Sequence, residues 1–555
     1  MKFVATTSPD AHPNPESIFV KIRKIRGNIT TASPTRSHIA ANTLVVAACF
    51  GLAAAAGLFR NIIIAQHFTI GAELDAYYAA FKLPDLLFTI VAGGALATAF
   101  IPVFADFLAQ ENRAGAWRLA SAITNWVVLI VAIGAGLAGL AAPWLVRRLI
   151  APGFDAAGQA AAADLMRLVL VSTLLFGISS VQTSALHGFK HFLLPALAPV
   201  FYPLGIAAGA IWFVPVWGVR GLAMGAVLGA ALHLAAKIPA LLRYGFRWQP
   251  VLDGRSPAVR RVAVLMGPRI LDLAVFQFTL IATTNLASRL PAGSVSGLEW
   301  GWDAMQLPET IIGTAFGLVA FPTFAELAAR HDFSGLRQTL GETTRAVLAL
   351  AVPAALGLIL LGQPLLDMLY GGGSFDSAAI TAIYTALRFF ALGLAAHTVL
   401  ELAARAFFAQ QDTLTPLFVA IGSAVVSIGL GIVLMQAMGH GGLALANSIA
   451  VSAEVLVLFA LRRRRWGAVD GRALALTLAR VLAATAVMGV TITAVLALAA
   501  ARSLAPALTL ALAAAAGAAA YLLACLSLRE RAIFYLAAAV IRPGAKVTPP
   551  APEML

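Results

Sequence analysis

Residues 126–146 read WVVLIVAIGAGLAGLAAPWLV, an uncharged stretch closed by the basic pair Arg147-Arg148. A helix of that length rises about 30 Å, the thickness of a bilayer's hydrocarbon core. Gly, Ala and Leu follow one another without the alternation of a strand. A backbone in lipid must satisfy its own polar groups, so the stretch reads as a transmembrane helix. The same event recurs along the chain. Roughly 14 apolar runs of about 20 to 28 residues fill 40–525, each ended by a short polar or basic break. The expected fold class is an all-α polytopic membrane protein with about 14 transmembrane helices.

Composition agrees. Of the 555 residues, 60% are hydrophobic and 12% charged, and the mean hydropathy is +0.87. A soluble domain carries about 25% charged residues. Cys49 and Cys525 both fall in apolar runs far apart, which argues against a disulfide framework or a thiolate metal site. The net charge of +14 is a matter of topology rather than nucleic acid. With the N-terminus placed in the cytoplasm, about 28 of the 39 Lys and Arg fall on the cytoplasmic side. The richest stretches are Lys21–Arg26, Lys237–Arg261 and Arg462–Arg465, whereas Gln66–Glu73, Gly362–Asp376 and Gln436–His440 carry no Lys or Arg. The expectation is a multi-pass protein of the bacterial cytoplasmic membrane with both termini inside, its basic loops drawn to anionic headgroups. Residues 1–38 read as a polar, basic tail without a cleavable signal, and 526–555 as a C-terminal tail.

Pro143, at the end of the quoted stretch, also opens PWLVRRLIAPGFD; Pro364 opens PLLDMLYGGGSFD at an offset of 221 residues. The same offset relates GLAMGAVLGAALHL from Gly221 to GLALANSIAVSAEVL from Gly442. LDAYYAAFKLPD (Leu74–Asp85) parallels LEWGWDAMQLPE (Leu298–Glu309) at an offset of 224. The chain therefore divides into two six-helix pseudo-repeats, 39–245 and 258–463, followed by two additional helices over 471–525. An even number of helices per repeat makes the halves parallel. Carriers built this way bind substrate between the halves near the midplane.

The residues of the repeat also carry a family likeness. GLFRNIIIAQHF (57–68), ELDAYYAAFKLPDLL (73–87), GALATAFIPVFADFL (94–108), APGF (151–154) and ALHGFKHFLLPALAPVFYP (185–203) resemble the MurJ/MviN lipid II flippases. So do MGPRILDLAVFQ (266–277) and RAFFAQQDTLTP (405–416). That family lies in the multidrug/oligosaccharidyl-lipid/polysaccharide exporter superfamily. The likeness covers nearly all of 40–525. It implies a two-lobed carrier moving undecaprenyl-diphosphate-linked peptidoglycan precursor, lipid II, to the outer leaflet by alternating access. Such a protein is not an enzyme and needs no cofactor. Membrane lipids are its surroundings, and cell-wall synthesis enzymes are partners the resemblance leaves open.

The chain departs from the family in the cavity. The family's central arginines are represented by Arg60, but Ala54, Phe88 and the pair Trp302-Asp303 stand where other cationic positions are expected, Asn61 replaces an acid, and Gly93 replaces a glutamate. Lys82 and Asp75 match.

A charge inside a transmembrane helix is costly and usually faces the bundle interior or water. Arg60 suits a phosphate, because guanidinium forms forked hydrogen bonds to phosphate oxygens; the alternatives are snorkelling and a pair with Asp75. Lys82 precedes the kinking Pro84. Arg269, three residues before Asp272, is a third candidate cation for the diphosphate or pairs with that acid. Asp75, Glu299, Asp303, Asp272 and Arg388 are candidates for gating or coupling. For Asp75 and Glu299 helix capping is the competing reading, and for Asp303 a pair with Arg60 or Arg269. His187 and His191 lack a third metal ligand, and Asp412 reads as a cap before the helix carrying Pro416. No phosphate-binding loop is present, so energy is expected from an ion gradient, the membrane potential or substrate supply. Two further functions stay open: export of another polyprenyl-linked oligosaccharide or an organic cation, and a non-transporting envelope scaffold.

Overall fold

The structure, a computed structural model, describes residues 34–92 and 94–530; the side chains of 34–47, 50, 92–95, 267–269 and 271–272 also lie outside the described residues. The tails over 1–33 and 531–555 are therefore not described, and neither are Gly93 and the side chains of Arg269 and Asp272.

Fourteen long helices follow one another among the described residues. The first set comprises α1 (Pro34–His67), α2 (Ala72–Ala109), α3 (Arg113–Ile150), α4 (Ala156–Gly188), α5 (Leu193–Trp217) and α6 (Val219–Arg243). The second set comprises α7 (Pro257–Ala287), α8 (Ser294–Ala329), α9 (Phe333–Tyr370), α10 (Ser377–Phe408), α11 (Leu414–Met438) and α12 (His440–Trp466). Helices α13 (Gly471–Ala501) and α14 (Pro506–Ser527) complete the chain. Twelve of these are long and apolar enough to cross a membrane, and α7 adds the shorter apolar segment Leu273–Ala287. The chain is thus an all-α polytopic membrane protein. Many of its large apolar side chains face outward, among them Leu140, Trp144, Val319 and Leu456. Lipid rather than a second protein layer is their natural solvent.

Prolines shape these helices. Pro143 and Pro308 lie just before π-helical turns at Val146–Ile150 and Thr310–Thr314. Proline removes one backbone donor and clashes with the preceding turn, and a widened turn absorbs both effects.

The turns repeat as closely as the sequence does. Gly218 between α5 and α6 has φ +56°, and Gly439 between α11 and α12 has φ +57°. Both ψ angles are near −140°, a conformation essentially closed to side chains with a Cβ. Asp155 caps α4 by accepting from Gly158 N, and Asp376 caps α10 by accepting from Ala379 N. Packing recurs too. Helix α1 lies on α5, α2 and α3 on α4, and α6 on both α4 and α5; in the second set α7 lies on α11, α8 and α9 on α10, and α12 on both α10 and α11. Helix α13 docks on α9, with α14 against it.

Small residues let α5 and α6 approach closely, as in membrane helix pairs generally. A Cβ added at Gly225 of α6 would lie 2.8 Å from Gly205 O and 2.9 Å from Gly209 Cα of α5.

Candidate functional site

The two sets meet along α1, α2, α7 and α8, and the intramembrane charges collect at that seam. Arg60 lies deep in α1, seven residues before its end at His67. Its Nε and Nη2 donate to Asn61 Oδ1 at 2.9 and 2.7 Å, and Nη2 reaches Asp303 Oδ2 of α8 at 3.4 Å. Lys82 of α2 is buried and paired with Glu299 of α8. One turn on, Asp85 is within electrostatic reach of Lys82 and Glu299. Tyr77, Tyr78 and Tyr202 stand near Arg60, and Asn61 also lies beside Asp303 and Tyr370.

The side chains of Arg60 and Asp303 are 22% and 38% exposed although helices surround them on all sides. Asn61, Tyr77, Tyr78 and Tyr202 around them place both among the helices of the seam. Two cations, Arg60 and Lys82, meet three acids, Asp85, Glu299 and Asp303, and both cations are engaged across the seam. A guanidinium held by one carboxylate and one amide still has donors for an anion, but a diphosphate must displace Asp303 to take them all.

Asp75 has a different task. Its Oδ2 accepts from Gly293 N at 2.7 Å, and its Oδ1 from Ser296 N at 2.7 Å and Ser296 Oγ at 2.6 Å. It therefore caps the N-terminus of α8 from the other set, where the first N–H groups of a helix lack partners. Around it the same end of the molecule is laced shut. Ser374 donates its N–H to Ala65 O at 2.8 Å and its hydroxyl to Gln66 O at 2.9 Å. Asn285 donates to Leu149 O at 2.7 Å, and Gly153 N donates to Ser288 Oγ at 3.1 Å. These bonds lie opposite the end where the chain enters. Toward the entry end, Gln277 to Thr89 and Arg261 to Asp106, each 2.9 Å, tie α7 to α2.

The sequence-derived candidates sort accordingly. Arg60, Lys82, Glu299 and Asp303 come together at the seam. Arg60 pairs with Asp303 rather than Asp75, and Glu299 meets Lys82 inside α8 instead of capping it. Arg388 sits over the rings of Phe389 at 4.8 Å and Tyr384 at 6.0 Å on its own helix, away from the seam pairs. The pairing of Arg269 with Asp272 falls on side chains outside the described residues. Asp412 accepts from Thr415 N at 3.0 Å, as a cap does.

Where the family expects cations, the structure shows what replaced them. Phe88 packs on Phe176, which in turn touches Tyr202 and His233. Trp302 turns away to Phe390 and His397 of α10, leaving Asp303 to face Arg60. The sequence reading passed over Asp85 and the tyrosines as site residues; the i, i+3 spacing of Lys82 and Asp85 about Pro84 was the available signal. No group of three His, Cys, Asp or Glu fit for a metal occurs among the described residues.

A family model described as "Lipid II flippase MurJ" matches residues 64–513. The lipid II flippase MurJ of Burkholderia cenocepacia is 31% identical over 423 residues, which is 74% of this chain and 81% of that one. Among solved structures, one of lipid II flippase MurJ in an inward closed conformation superposes with a TM-score of 0.74 at 21% identity, covering 90% of this chain and 100% of that one. An inward-facing multidrug resistance MATE family transporter of the MOP superfamily is similar at a TM-score of 0.63 and 15% identity, covering 75% and 94%. With the family match running from the last turn of α1 through both sets of helices into α14, the chain belongs to the lipid II flippase MurJ family.

Proposed function

We propose that the chain carries lipid II from the inner to the outer leaflet of the bacterial cytoplasmic membrane, by alternating access between lobes 39–245 and 258–463. The observation that carries this reading is the seam, where Arg60 and Lys82 of one lobe hold Asp303 and Glu299 of the other inside the membrane. Charges that bridge two halves inside the membrane are where a substrate can trade places with an internal partner. The diphosphate would take Arg60 and Lys82 while the polyprenyl tail stays in lipid. Arg269 is assigned to the same cationic set, and Asp272 and Arg388 to coupling. With the N-terminus in the cytoplasm, the bonds around Asp75, Ser296 and Ser374 would tie the lobes at the outer end, and Gln277–Thr89 and Arg261–Asp106 would tie α7 to α2 nearer the inner end. The C-terminal pair α13–α14, nearly free of charge, provides a surface for the tail.

A second reading is export of another polyprenyl-linked oligosaccharide or an organic cation. It is favoured by the three acids that outnumber two cations at the seam. Complementation separates the readings. The chain and its Arg60→Ala form are expressed at matched levels in bacteria depleted of their own lipid II flippase. Growth with the parent and lysis with the variant support the proposal. Growth with both keeps lipid II as substrate and removes Arg60 from the site. Lysis with a parent that binds a cationic dye but not lipid II favours the second reading, and lysis with a parent that binds neither favours an envelope scaffold.

A further inference from the structure

Further along α8 from the seam, toward the entry end, a second set of charges faces α10 of the same lobe. Glu309 immediately precedes the π-helical turn Thr310–Thr314. Its Oε1 lies over Gly313, where an added Cβ would come 3.0 Å from that oxygen and 3.0 Å from Thr398 Cα of α10. Glu401 and Arg405 of α10 are within electrostatic reach of Glu309. Arg405 pairs with Glu401 at 2.8 Å, and its Nη1 donates to Thr314 O at 3.2 Å, at the end of the widened turn. Gly317 makes room for this guanidinium, because a Cβ there would overlap Arg405 Nη1. One turn before Glu401, His397 meets Asn447 of α12 at 3.1 Å and lies against Trp302, the neighbour of Asp303. Polar groups thus follow the α8–α10 contact from Arg405, three residues before the end of α10, to the seam.

Glu309 forms no ion pair among the described residues, since the cation nearest to it is held by Glu401. Helix α9, which also packs on the π turn, carries no charged residue or histidine between Arg345 and Asp367. Lys82 and Asp85 of α2 are turned to Glu299, ten residues earlier on α8. With both acids ionised, two carboxylates against one guanidinium leave a surplus negative charge inside the membrane, which is costly. A proton is the ligand that fits. It needs a single carboxyl oxygen, whereas the guanidinium repels a metal cation, and no group of three acids or histidines fit for a metal occurs among the described residues. A π turn often marks a functional site. Asp85, the repeat counterpart of Glu309, is followed by an ordinary α-helix through Ala92, so the feature belongs to one lobe only. We infer that Glu309 is a proton-binding carboxyl facing the Glu401–Arg405 pair, and that its protonation couples rearrangement of the lobes to a proton gradient. The coupling rests on the transport reading above; the proton site does not. Protonation makes the trio neutral, and α8 carries the change to Asp303, six residues or about 9 Å away along the helix axis.

The test uses the full chain in lipid and no lipid II, so its failure is separate from failure of the cargo reading. Infrared difference spectra between about pH 8 and pH 6 read carboxyl protonation directly. The parent is expected to show a protonated-carboxyl band that Glu309→Gln loses. Glu401→Gln should lose it too, because Arg405 is then released to pair with Glu309. Asp164→Asn, which removes an exposed acid paired with Arg167 and Arg220, should keep it. Coupling is read from a Ser374→Cys background labelled by an impermeant maleimide. The labelling rate should change severalfold across the same pH range, and Glu309→Gln should hold it at the low-pH rate, since the amide imitates the protonated acid. If Glu309→Gln does not fold, Glu401→Gln decides. The proton site is overturned if the band survives Glu309→Gln or is lost equally in Asp164→Asn. The coupling is overturned if labelling does not respond to pH, or if it follows sodium instead.

Discussion

Replacing Asp303 with Asn keeps the shape of the side chain and removes the charge that occupies Arg60. At 3.4 Å the attraction between unit charges is about 5 kcal/mol at an effective dielectric of 20 and about 1 kcal/mol in bulk water. The two side chains are 22% and 38% exposed, so solvent screens them and a figure of about 2 kcal/mol is reasonable. If a diphosphate must expel Asp303 to engage Arg60, removing that competitor tightens lipid II binding by about 2 kcal/mol, or about 30-fold in Kd. The assay is equilibrium binding of fluorescent lipid II to protein reconstituted in nanodiscs. Parent, Asp303→Asn, Arg60→Ala and the double variant are compared as a cycle. The gain should vanish in the Arg60→Ala background, because the acid then has no cation to guard. Weaker or unchanged binding by Asp303→Asn would refute the reasoning and make the acid part of the recognised surface, as an organic-cation substrate requires.

Asp75→Asn should cost about 2 kcal/mol, since one carboxylate serves three donors at the α8 N-terminus. A cysteine placed at Ser374 should then be labelled faster by an impermeant maleimide; unchanged labelling would remove Asp75 from the closure. Gly225→Ala should lose about 1 to 3 kcal/mol by forcing α5 and α6 apart, seen as a lower Tm. Gly422→Ala, where an added Cβ meets nothing within 4 Å, is the neutral control, and equal melting of the two would sink the packing argument. Asp412 precedes α11, outside the spans. Burial works upward on its carboxyl, but hydrogen bonds from Thr415 and the nearby Arg465 outweigh that and hold it below the ordinary carboxylate range. The ionised form therefore adds stability above the unfolded value near about 4, and this is lost as pH falls through the lower folded value. Tm of the parent should drop more steeply than that of Asp412→Asn between about pH 5 and 3; parallel curves would contradict it.

The apolar runs and the offset of 221 residues were enough to read helices, their approximate number and their duplication. Both follow from local rules: a span must be about 20 apolar residues long, and duplicated segments keep the residues their turns demand. Gly218 and Gly439 illustrate this, because each must supply a positive φ at the same place in its repeat. The resemblance through Arg60, Lys82 and Asp75 likewise reached the family without coordinates.

Which charge meets which was decided only in three dimensions. Asp75 and Glu299 are equivalent in the repeat, yet one caps a helix of the other lobe and the other pairs with Lys82. Repeat equivalence describes a position within a lobe, whereas these bonds cross between lobes, where the pseudo-symmetry sets no partner. Trp302 and Asp303 are adjacent in sequence but face opposite sides of α8, one into the packing of α10 and the other onto Arg60. Arg462 read as one more residue of a basic run; its burial beside Arg337 comes from the approach of α9 to the end of α12. Sequence records the cost of placing a charge in the membrane. The partner that offsets this cost is set by helix packing between segments more than two hundred residues apart.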